Sequence, residues 1–251
     1  MSGHSHWATI RRKKGAADAK RGAVFTRLAR EIVLAAREGG GDPDSNVRLA
    51  LAIDKARAQN MPKDNIERAI KRGTGDSKEG GALEQVYYEG YGPHGVAMMF
   101  EVVTDNRNRT VADLRHQLSR AGGNMAEAGA VGWQFNRVAS FSFSQGDFDQ
   151  DTLFELAVEA GADDVTFQDG EVEIVGPVES FRPISEALRA RKIHVEEAGL
   201  RLVPNNELEL SDENTIQVLK MVENLEELDD VQNVYHNVRV SDAVWAKLEA
   251  E

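Results

Sequence analysis

The chain has 251 residues and no cysteine, which excludes disulfide bonds, thiolate metal sites and cysteine nucleophiles. Apolar residues make up 41% and charged residues 29%, a composition typical of a globular protein and, at this length, of two or three compact units. No apolar run approaches the roughly 18 residues of a membrane-spanning helix, so we expect a cytoplasmic protein that makes no membrane contact.

Charge is divided sharply along the chain, although the net charge of the whole is −12. Residues 1–73 carry 16 Lys and Arg against 8 Asp and Glu, whereas residues 74–251 carry 14 against 34. A basic segment of this density is favourable beside a polyanion, which neutralises its self-repulsion. The sequence therefore predicts that nucleic acid binds the N-terminal part and that the acidic remainder stays away from it.

Residues 1–23 are predicted to form a basic arm, because they lack a regular apolar stripe and are rich in Lys, Arg, Gly and Ala. Ammonium and guanidinium groups pair with phosphates, and a single indole ring can stack on a base. The predicted contacts of the arm and of the helix after it are Trp7, Arg11, Arg12, Lys13, Lys14, Lys20, Arg21, Arg27 and Arg30.

Residues 24–76 are predicted to form a bundle of three short helices. Apolar residues recur at helical spacing in three groups: Phe25, Leu28, Ile32 and Ala36; Leu49, Ile53 and Ala56; and Ile66, Ala69 and Ile70. Gly39–Gly41 ends the first helix, Pro62 opens the third, and Gly73 is predicted to cap it. The third helix adds four basic residues to the predicted nucleic-acid site: Lys63, Arg68, Lys71 and Arg72.

An α/β unit is predicted over residues 82–136 together with 205–245. Two strands with alternating apolar residues precede a helix that Thr104 or Asp105 is expected to cap. The helix and strand after residue 205 cannot form a core alone, so we expect them to complete this unit. The first helix of the unit carries Arg107, Arg109, His116 and Arg120, which indicate either a secondary basic patch or an ordinary solvated face.

Residues 137–204 show the order βαββαβ, which predicts a ferredoxin-like domain inserted into that unit. The predicted fold class is therefore α+β multidomain: an N-terminal three-helix bundle and two α/β domains, one of them ferredoxin-like and inserted in the other.

No catalytic or metal-binding motif is evident. Only two of the six histidines, His4 and His6, are close in sequence, and no cysteine or carboxylate cluster accompanies them. The acidic run 147–151 imitates the start of a calcium loop but lacks its later glycine and glutamate, so it indicates helix capping. Another acidic group, Glu223, Glu226, Glu227, Asp229 and Asp230, is interpreted as a solvated face. We expect no enzyme, cofactor or metal, and no small-molecule substrate.

Eight short motifs give the chain a resemblance to the YebC family over essentially its whole length: Gly3–Trp7, Lys14–Asp18, Phe25–Thr26, Arg30–Ile32, Asn60–Ile66, Tyr88–Pro93, Thr104–Thr110 and Gly122–Asn124. Members of that family are described as probable transcriptional regulators in bacteria and translational activators in mitochondria. The resemblance implies a three-domain fold, association with nucleic acid and no catalytic activity. Two departures are His6, where a lysine is usual, and Met125–Glu127, which replaces a more glycine-rich turn.

Three functions remain open at this point. A regulator could bind duplex DNA through the arm and bundle, although Asn65 is the main base-reading side chain of the third helix. A translation factor could bind ribosomal RNA, whose irregular surfaces suit a basic arm with an aromatic ring. A protein-interaction scaffold could use the acidic α/β domains to bind a protein partner, with the arm as an intramolecular partner. Apart from these functions, the arm could be no more than a solubilising tail.

Overall fold

A computed structural model describes residues 21–76, 83–168 and 170–249 of the chain. Within these residues lie eight α-helices: α1 Arg21–Gly39, α2 Val47–Ala58, α3 Lys63–Thr74, α4 Arg107–Arg120, α5 Gln150–Glu159, α6 Phe181–Ala190, α7 Asp212–Glu226 and α8 Asp242–Glu249. The same residues include eight strands: β1 Glu84–Tyr91, β2 Ala97–Thr104, β3 Asn124–Ala126, β4 Phe135–Ser144, β5 Asp164–Gln168, β6 Glu171–Pro177, β7 Glu197–Pro204 and β8 Val231–His236.

Helices α1 to α3 form the predicted bundle. The side chain of Asn46 caps α2 by accepting a hydrogen bond of 3.1 Å from the backbone N–H of Leu49. The prediction that Gly73 caps α3 is wrong, since the cap is Gly75, whose φ of 84° is left-handed. Gly73 instead lies buried within α3, where a Cβ atom would stand 2.5 Å from the carbonyl oxygen of Val33. Glycine at this position therefore lets α3 approach α1 closely.

The first sheet has the strand order β3-β1-β2-β8, and its neighbouring strands are antiparallel. One of its faces packs against α4 and α7 in a core that includes Met98, Phe100, Val102, Leu114, Leu118, Val218 and Val222. Helix α4 begins later than predicted, because its cap is Asn106, whose Oδ1 accepts from the backbone N–H of Arg109 at 3.1 Å. Thr104, which was expected to act as a cap, is buried at the end of β2.

The second sheet has the order β5-β6-β4-β7, with α5 and α6 on one face. This is the connectivity βαββαβ that the sequence predicts. Its core includes Phe141, Phe143, Leu153, Ile174 and Leu188. At the start of α5, Asp149 accepts from the backbone N–H of Thr152 at 3.1 Å, so the acidic run here caps a helix as expected.

Strand β8 follows all four strands of the second sheet in sequence, yet it pairs with β2 of the first sheet, where Val234 lies opposite Phe100. The predicted fold class is thereby confirmed: an N-terminal helical part precedes two antiparallel sheets of four strands each. The residue boundaries drawn between the units stay predictions. No helix of the described ranges is long and apolar enough to span a membrane.

The bundle is docked on the first sheet. The core of the bundle includes Leu83, which directly precedes β1, and Val103 of β2. Arg37 Nη1 also donates to the carbonyl oxygen of Leu83 at 2.5 Å. The bundle therefore shares a core with the α/β part, and the contact fixes one face of α1 against the start of β1.

Candidate nucleic-acid interface

A cleft of about 490 Å³ lies where α1 and α3 face each other, beside the first sheet. Helix α1 contributes Phe25, Thr26, Ala29, Arg30 and Val33, and helix α3 contributes Asn65, Arg68, Ala69 and Arg72. These spacings of three, four and seven residues place each set on one side of its helix. The lining is completed by Met61, Leu83 and Asp105.

The cleft combines an apolar wall with three guanidinium groups, those of Arg30, Arg68 and Arg72. Arg68 is exposed and is oriented along its own helix, since its Nε donates to the carbonyl oxygen of Asp64 at 3.3 Å and its Nη2 donates to Oδ1 of Asn65. A guanidinium group presents five N–H donors, so these contacts leave donors of Arg68 for a ligand.

A second cluster of basic residues, which we name the Asp230 junction, lies where α1, α4 and the start of β8 meet. The carboxylate of Asp230 is 2.7 Å from Arg30 Nη2 and 2.9 Å from Arg109 Nη2. It also accepts hydrogen bonds from the hydroxyls of Thr110 at 2.6 Å and Thr104 at 3.1 Å. Four side chains from the bundle and the first α/β unit therefore converge on one carboxylate.

Burial and pairing set the charge state of the junction. The side chain of Asp230 is only 7% exposed and that of Arg30 only 12%. Burial by itself would raise the pKa of Asp230, but hydrogen bonds from Thr110 and Arg109, together with the charges of Arg30 and Arg109, hold the pKa below its usual range. Hydrogen bonding to Asp230 likewise raises the pKa of Arg109. The junction is thus a charged network, and the interpretation of Asp230 as part of a solvated face is wrong.

The described members of the predicted nucleic-acid site fall into two groups. Arg27 and Arg30 of α1 contact the α/β part, Arg27 by donating to the carbonyl oxygen of Glu226 at 3.3 Å. The basic residues of α3 lie at the surface, with Lys63 about 3.5 Å from Glu67 and largely exposed. The remaining predicted contacts, Trp7, Arg11, Arg12, Lys13, Lys14 and Lys20, lie outside the described residues, as does the side chain of Arg21.

The secondary patch of α4 is also divided. Arg109 is held by Asp230 and Asp105, and Arg107 pairs with Glu84, so both guanidinium groups already contact carboxylates. His116 and Arg120 are exposed farther along the helix. The four residues therefore do not form one continuous basic surface.

Comparison with known proteins identifies the family of the chain. The model described as the TACO1/YebC protein N-terminal domain matches residues 5–76, and the model of the TACO1/YebC second and third domain matches residues 83–238. The chain belongs to the TACO1/YebC family. The two matched ranges meet at the connection between the bundle and the first sheet, so the Asp230 junction ties together segments that the family models describe separately.

Full-length relatives in the TACO1/YebC family carry names that refer to regulation. A probable transcriptional regulatory protein of Chlorobaculum tepidum is 49% identical over 252 residues and covers 100% of both chains. One of Geobacter sulfurreducens is 50% identical over 248 residues, covering 99% of this chain and 100% of its own. The crystal structure of a conserved hypothetical protein from Aquifex aeolicus superposes with a TM-score of 0.79 at 39% identity, over 91% of this chain and 94% of that one.

The sequence did not reveal two features of this TACO1/YebC chain. Trp133 is 72% exposed on a short turn whose loop is held by Glu89, because the Glu89 carboxylate accepts from the backbone N–H groups of Gly129, Val131 and Gly132. Burial would raise the pKa of Glu89, but these hydrogen bonds lower it. Phe154 and Val158 of α5 are each about half exposed. Exposure of an apolar residue depends on what packs against it, which local periodicity does not show.

No group of three His, Asp or Glu side chains in the described part of the chain is arranged to hold a metal ion.

Proposed function

We propose that this chain is a non-enzymatic regulator of gene expression that binds nucleic acid through its N-terminal arm and bundle. The observation that carries the proposal is the division of charge, with 16 basic residues against 8 acidic ones in residues 1–73 and the reverse imbalance after them. Such a division concentrates phosphate contacts at one end and repels nucleic acid from the other. The names of the relatives, which refer to transcriptional regulation, support the same class of function.

Phosphate contacts predict a strong dependence of affinity on salt. If the arm neutralises about five phosphates, the logarithm of affinity falls against the logarithm of salt concentration with a slope of about −4 to −5. We expect Arg11, Arg12, Lys13 and Lys14 changed together to Ala to flatten that slope towards about −1. A matched control removes four exposed arginines outside the predicted interface, Arg115, Arg182, Arg191 and Arg239. An arm variant with unaltered affinity and slope would overturn the role of the arm.

An experiment in cells distinguishes DNA from ribosomal RNA as the bound nucleic acid. The relatives' names favour DNA as the target, and ribosomal RNA is the alternative. Crosslinking in cells, followed by sequencing of the attached nucleic acid, is expected to recover DNA fragments from promoter-proximal regions if the chain acts on transcription. Recovery of ribosomal RNA, with co-sedimentation on ribosomes at low salt, would replace DNA by the ribosome.

A second candidate function, protein binding by the inserted domain, is favoured by the surface around α5. Residues 145–164 include seven Asp and Glu and no Lys or Arg. Phe154 and Val158 stand one helical turn apart on α5, so they share an exposed face within this acidic surface. An apolar pair surrounded by carboxylates fits a basic protein segment with an apolar face of its own.

Photocrosslinking from position 154, after nuclease treatment, tests this second function. We expect crosslinked peptides that carry an excess of Lys and Arg, and we expect Val158→Ser to reduce their yield. Crosslinks that are confined to acidic peptides, or that survive Val158→Ser unchanged, would exclude this surface as a site for a basic partner.

A further inference from the structure

We propose that the cleft between α1 and α3 holds one unpaired nucleotide of the bound nucleic acid, with its phosphate at Arg68 and Arg72 and its base against the apolar wall. The inference rests on the proposed function and specifies which part of a nucleic acid the bundle recognises. It assigns to α3 a role in holding a turned-out nucleotide in place of a role as a helix in the major groove.

The size of the cleft suits a single nucleotide. Its volume of about 490 Å³ lies within the range of roughly 300–1,000 Å³ that small-ligand sites occupy. A base that is paired and stacked within a duplex cannot enter such a space, whereas an unstacked base of a single strand or loop can be inserted. The side chain of Asn65 lines this concave space, and its Oδ1 accepts a hydrogen bond from Arg68, which also lines the cleft.

The apolar wall offers a surface for the base. Phe25, Met61 and Leu83 line the cleft: Met61 and Leu83 are buried core residues, only 5% and 3% exposed, and the partly buried Phe25 packs against the same core and is the more accessible of the three. Their position is therefore set by the fold before any ligand arrives. An aromatic ring accepts any base on its face, so this wall favours stacking without sequence preference. The neutral polar groups of Thr26 and Asn65 in the lining can hydrogen-bond to the edge of a base.

The arginines provide the contacts for the phosphate. Arg68 and Arg72 stand four residues apart on α3 and line the cleft together. Arg30 lines it from α1, and while its Nη2 pairs with Asp230, its Nη1 is buried without a hydrogen-bond partner among the described residues. Guanidinium groups match phosphate with paired hydrogen bonds.

One acid, Asp105, also lines the cleft. Its carboxylate lies 3.0 Å from Arg109 Nη2, so its charge is partly balanced from outside the cleft. Arg68 and Arg72 therefore line the cleft beside a single carboxylate that already has a cationic partner, while Arg30 stays paired with Asp230. This balance favours an anion.

Two charge-matched variants of α3 test the proposal. Arg68→Ala with Arg72→Ala removes two charges from the cleft, and Lys63→Ala with Lys71→Ala removes two charges from exposed positions of the same helix that do not line it. Binding of a fluorescein-labelled 12-nucleotide single strand is measured by anisotropy beside a blunt duplex of the same sequence. Because both pairs belong to the predicted interface, each variant should weaken duplex binding by the same factor, and we expect the cleft variant to weaken single-strand binding at least threefold more than the lysine variant.

A third variant separates the base from the phosphate. Phe25→Leu keeps an apolar wall but removes the aromatic ring, so we expect weaker single-strand binding with an unchanged salt slope. Urea midpoints show whether each variant folds. If the alanine pair unfolds, Arg68→Lys with Arg72→Lys keeps both charges and loses the paired geometry, and it should still weaken single-strand binding.

Equal losses for the cleft and lysine variants would overturn the cleft while leaving the proposed function intact, because binding would then depend on charge alone. Binding of a free mononucleotide as tight as that of the 12-mer would also overturn it, since the site would then serve a small ligand. An intact protein that binds neither the strand nor the duplex at low salt would contradict the proposed function itself.

Discussion

The Asp230 junction and the cleft contain the same type of side chain in different surroundings. At the junction, Arg30 and Arg109 contact a carboxylate that is 7% exposed, and two threonine hydroxyls complete its hydrogen bonding. In the cleft, Arg68 contacts groups of its own helix. The difference is the presence of a buried acid. Beside the buried acid, Arg30 and Arg109 hold the bundle against the α/β part, whereas Arg68 keeps N–H donors for a ligand.

Counting charges along a sequence does not separate these roles. The sequence assigns Arg30 and Arg68 to nucleic-acid binding and leaves Arg109 open between a secondary basic patch and a solvated face, yet the structure gives Arg30 and Arg109 to the fold. Arg30 belongs to both regions, because it lines the cleft while its Nη2 pairs with Asp230. Removal of Arg30 would therefore change stability and binding together, so Asp230 and Arg109 are used to test the junction and Arg68 to test the cleft.

The largest expected effect is on stability when the acid of the junction is removed. Asp230→Ala leaves the buried guanidinium of Arg30 without its partner, and breaking a buried pair in this way costs about 3 kcal/mol of the free energy of unfolding. Urea denaturation measures the loss. The matched control is Asp229→Ala, the exposed neighbour, for which we expect a change below about 0.5 kcal/mol. Equal losses in the two variants would mean that the Asp230 junction does not stabilise the fold more than an exposed carboxylate does.

The pH dependence of the same residue is a second test, with an expected effect of about 2 kcal/mol at pH 7 for Asp230→Asn. The pKa of Asp230 is lowered in the folded protein, so its stabilisation is present above the unfolded pKa of about 3.9 and is lost as pH falls through the folded pKa. Urea midpoints measured from pH 7 to pH 2 should therefore show the gap between wild type and Asp230→Asn closing below about pH 4. A gap that stays constant would contradict an ionised Asp230.

The close contact of α1 and α3 predicts an intermediate effect. Gly73→Ala places a methyl group 2.5 Å from the Val33 carbonyl oxygen and 2.7 Å from the Ala36 Cβ, which forces the two helices apart. Overpacking of this kind costs about 1–3 kcal/mol. Thermal unfolding detects the loss, and single-strand affinity should fall with it, because the walls of the cleft move. An alanine that is accepted without loss of stability would show that the helices can separate freely.

The smallest expected effect on stability belongs to the cleft arginine Arg68. Arg68 is exposed, and its guanidinium donates to the carbonyl oxygen of Asp64 and to Oδ1 of Asn65, both on its own helix, so Arg68→Ala should change the free energy of unfolding by less than about 0.5 kcal/mol. Urea denaturation at pH 7 measures this change. A loss above about 1 kcal/mol would place Arg68 among the residues that hold the fold.

Local sequence patterns predict the helices and strands of this fold, but they do not predict contacts between residues that are far apart in the sequence. The spacing of Phe25, Leu28 and Ile32 marks the face that α1 buries, and the change to a period of two marks β1 and β2. A glycine near the end of a helical pattern predicts a cap, whereas glycine is needed at position 73 because the backbone of Val33 approaches it from another helix. That reason does not appear in the local sequence.

The same limit applies to the candidate site. The basic residues of α3 can be recognised in sequence, but the cleft depends on how α1 faces them. Asp230 stands among Glu223, Glu226, Glu227 and Asp229, so in sequence it reads as one of several solvated acids. Only the pairing of β8 with β2 carries it to Arg30, 200 residues earlier in the chain.

The most direct test of the division between the two regions is to measure stability and affinity on the same two variants, Arg109→Ala and Arg68→Ala, each of which removes one arginine. We expect Arg109→Ala to lower the urea midpoint and leave the affinity for the 12-nucleotide strand within twofold, and Arg68→Ala to leave the midpoint and weaken the affinity. If Arg109→Ala weakened binding as much as Arg68→Ala while its midpoint stayed at the wild-type value, the division of the arginines into two roles would be wrong.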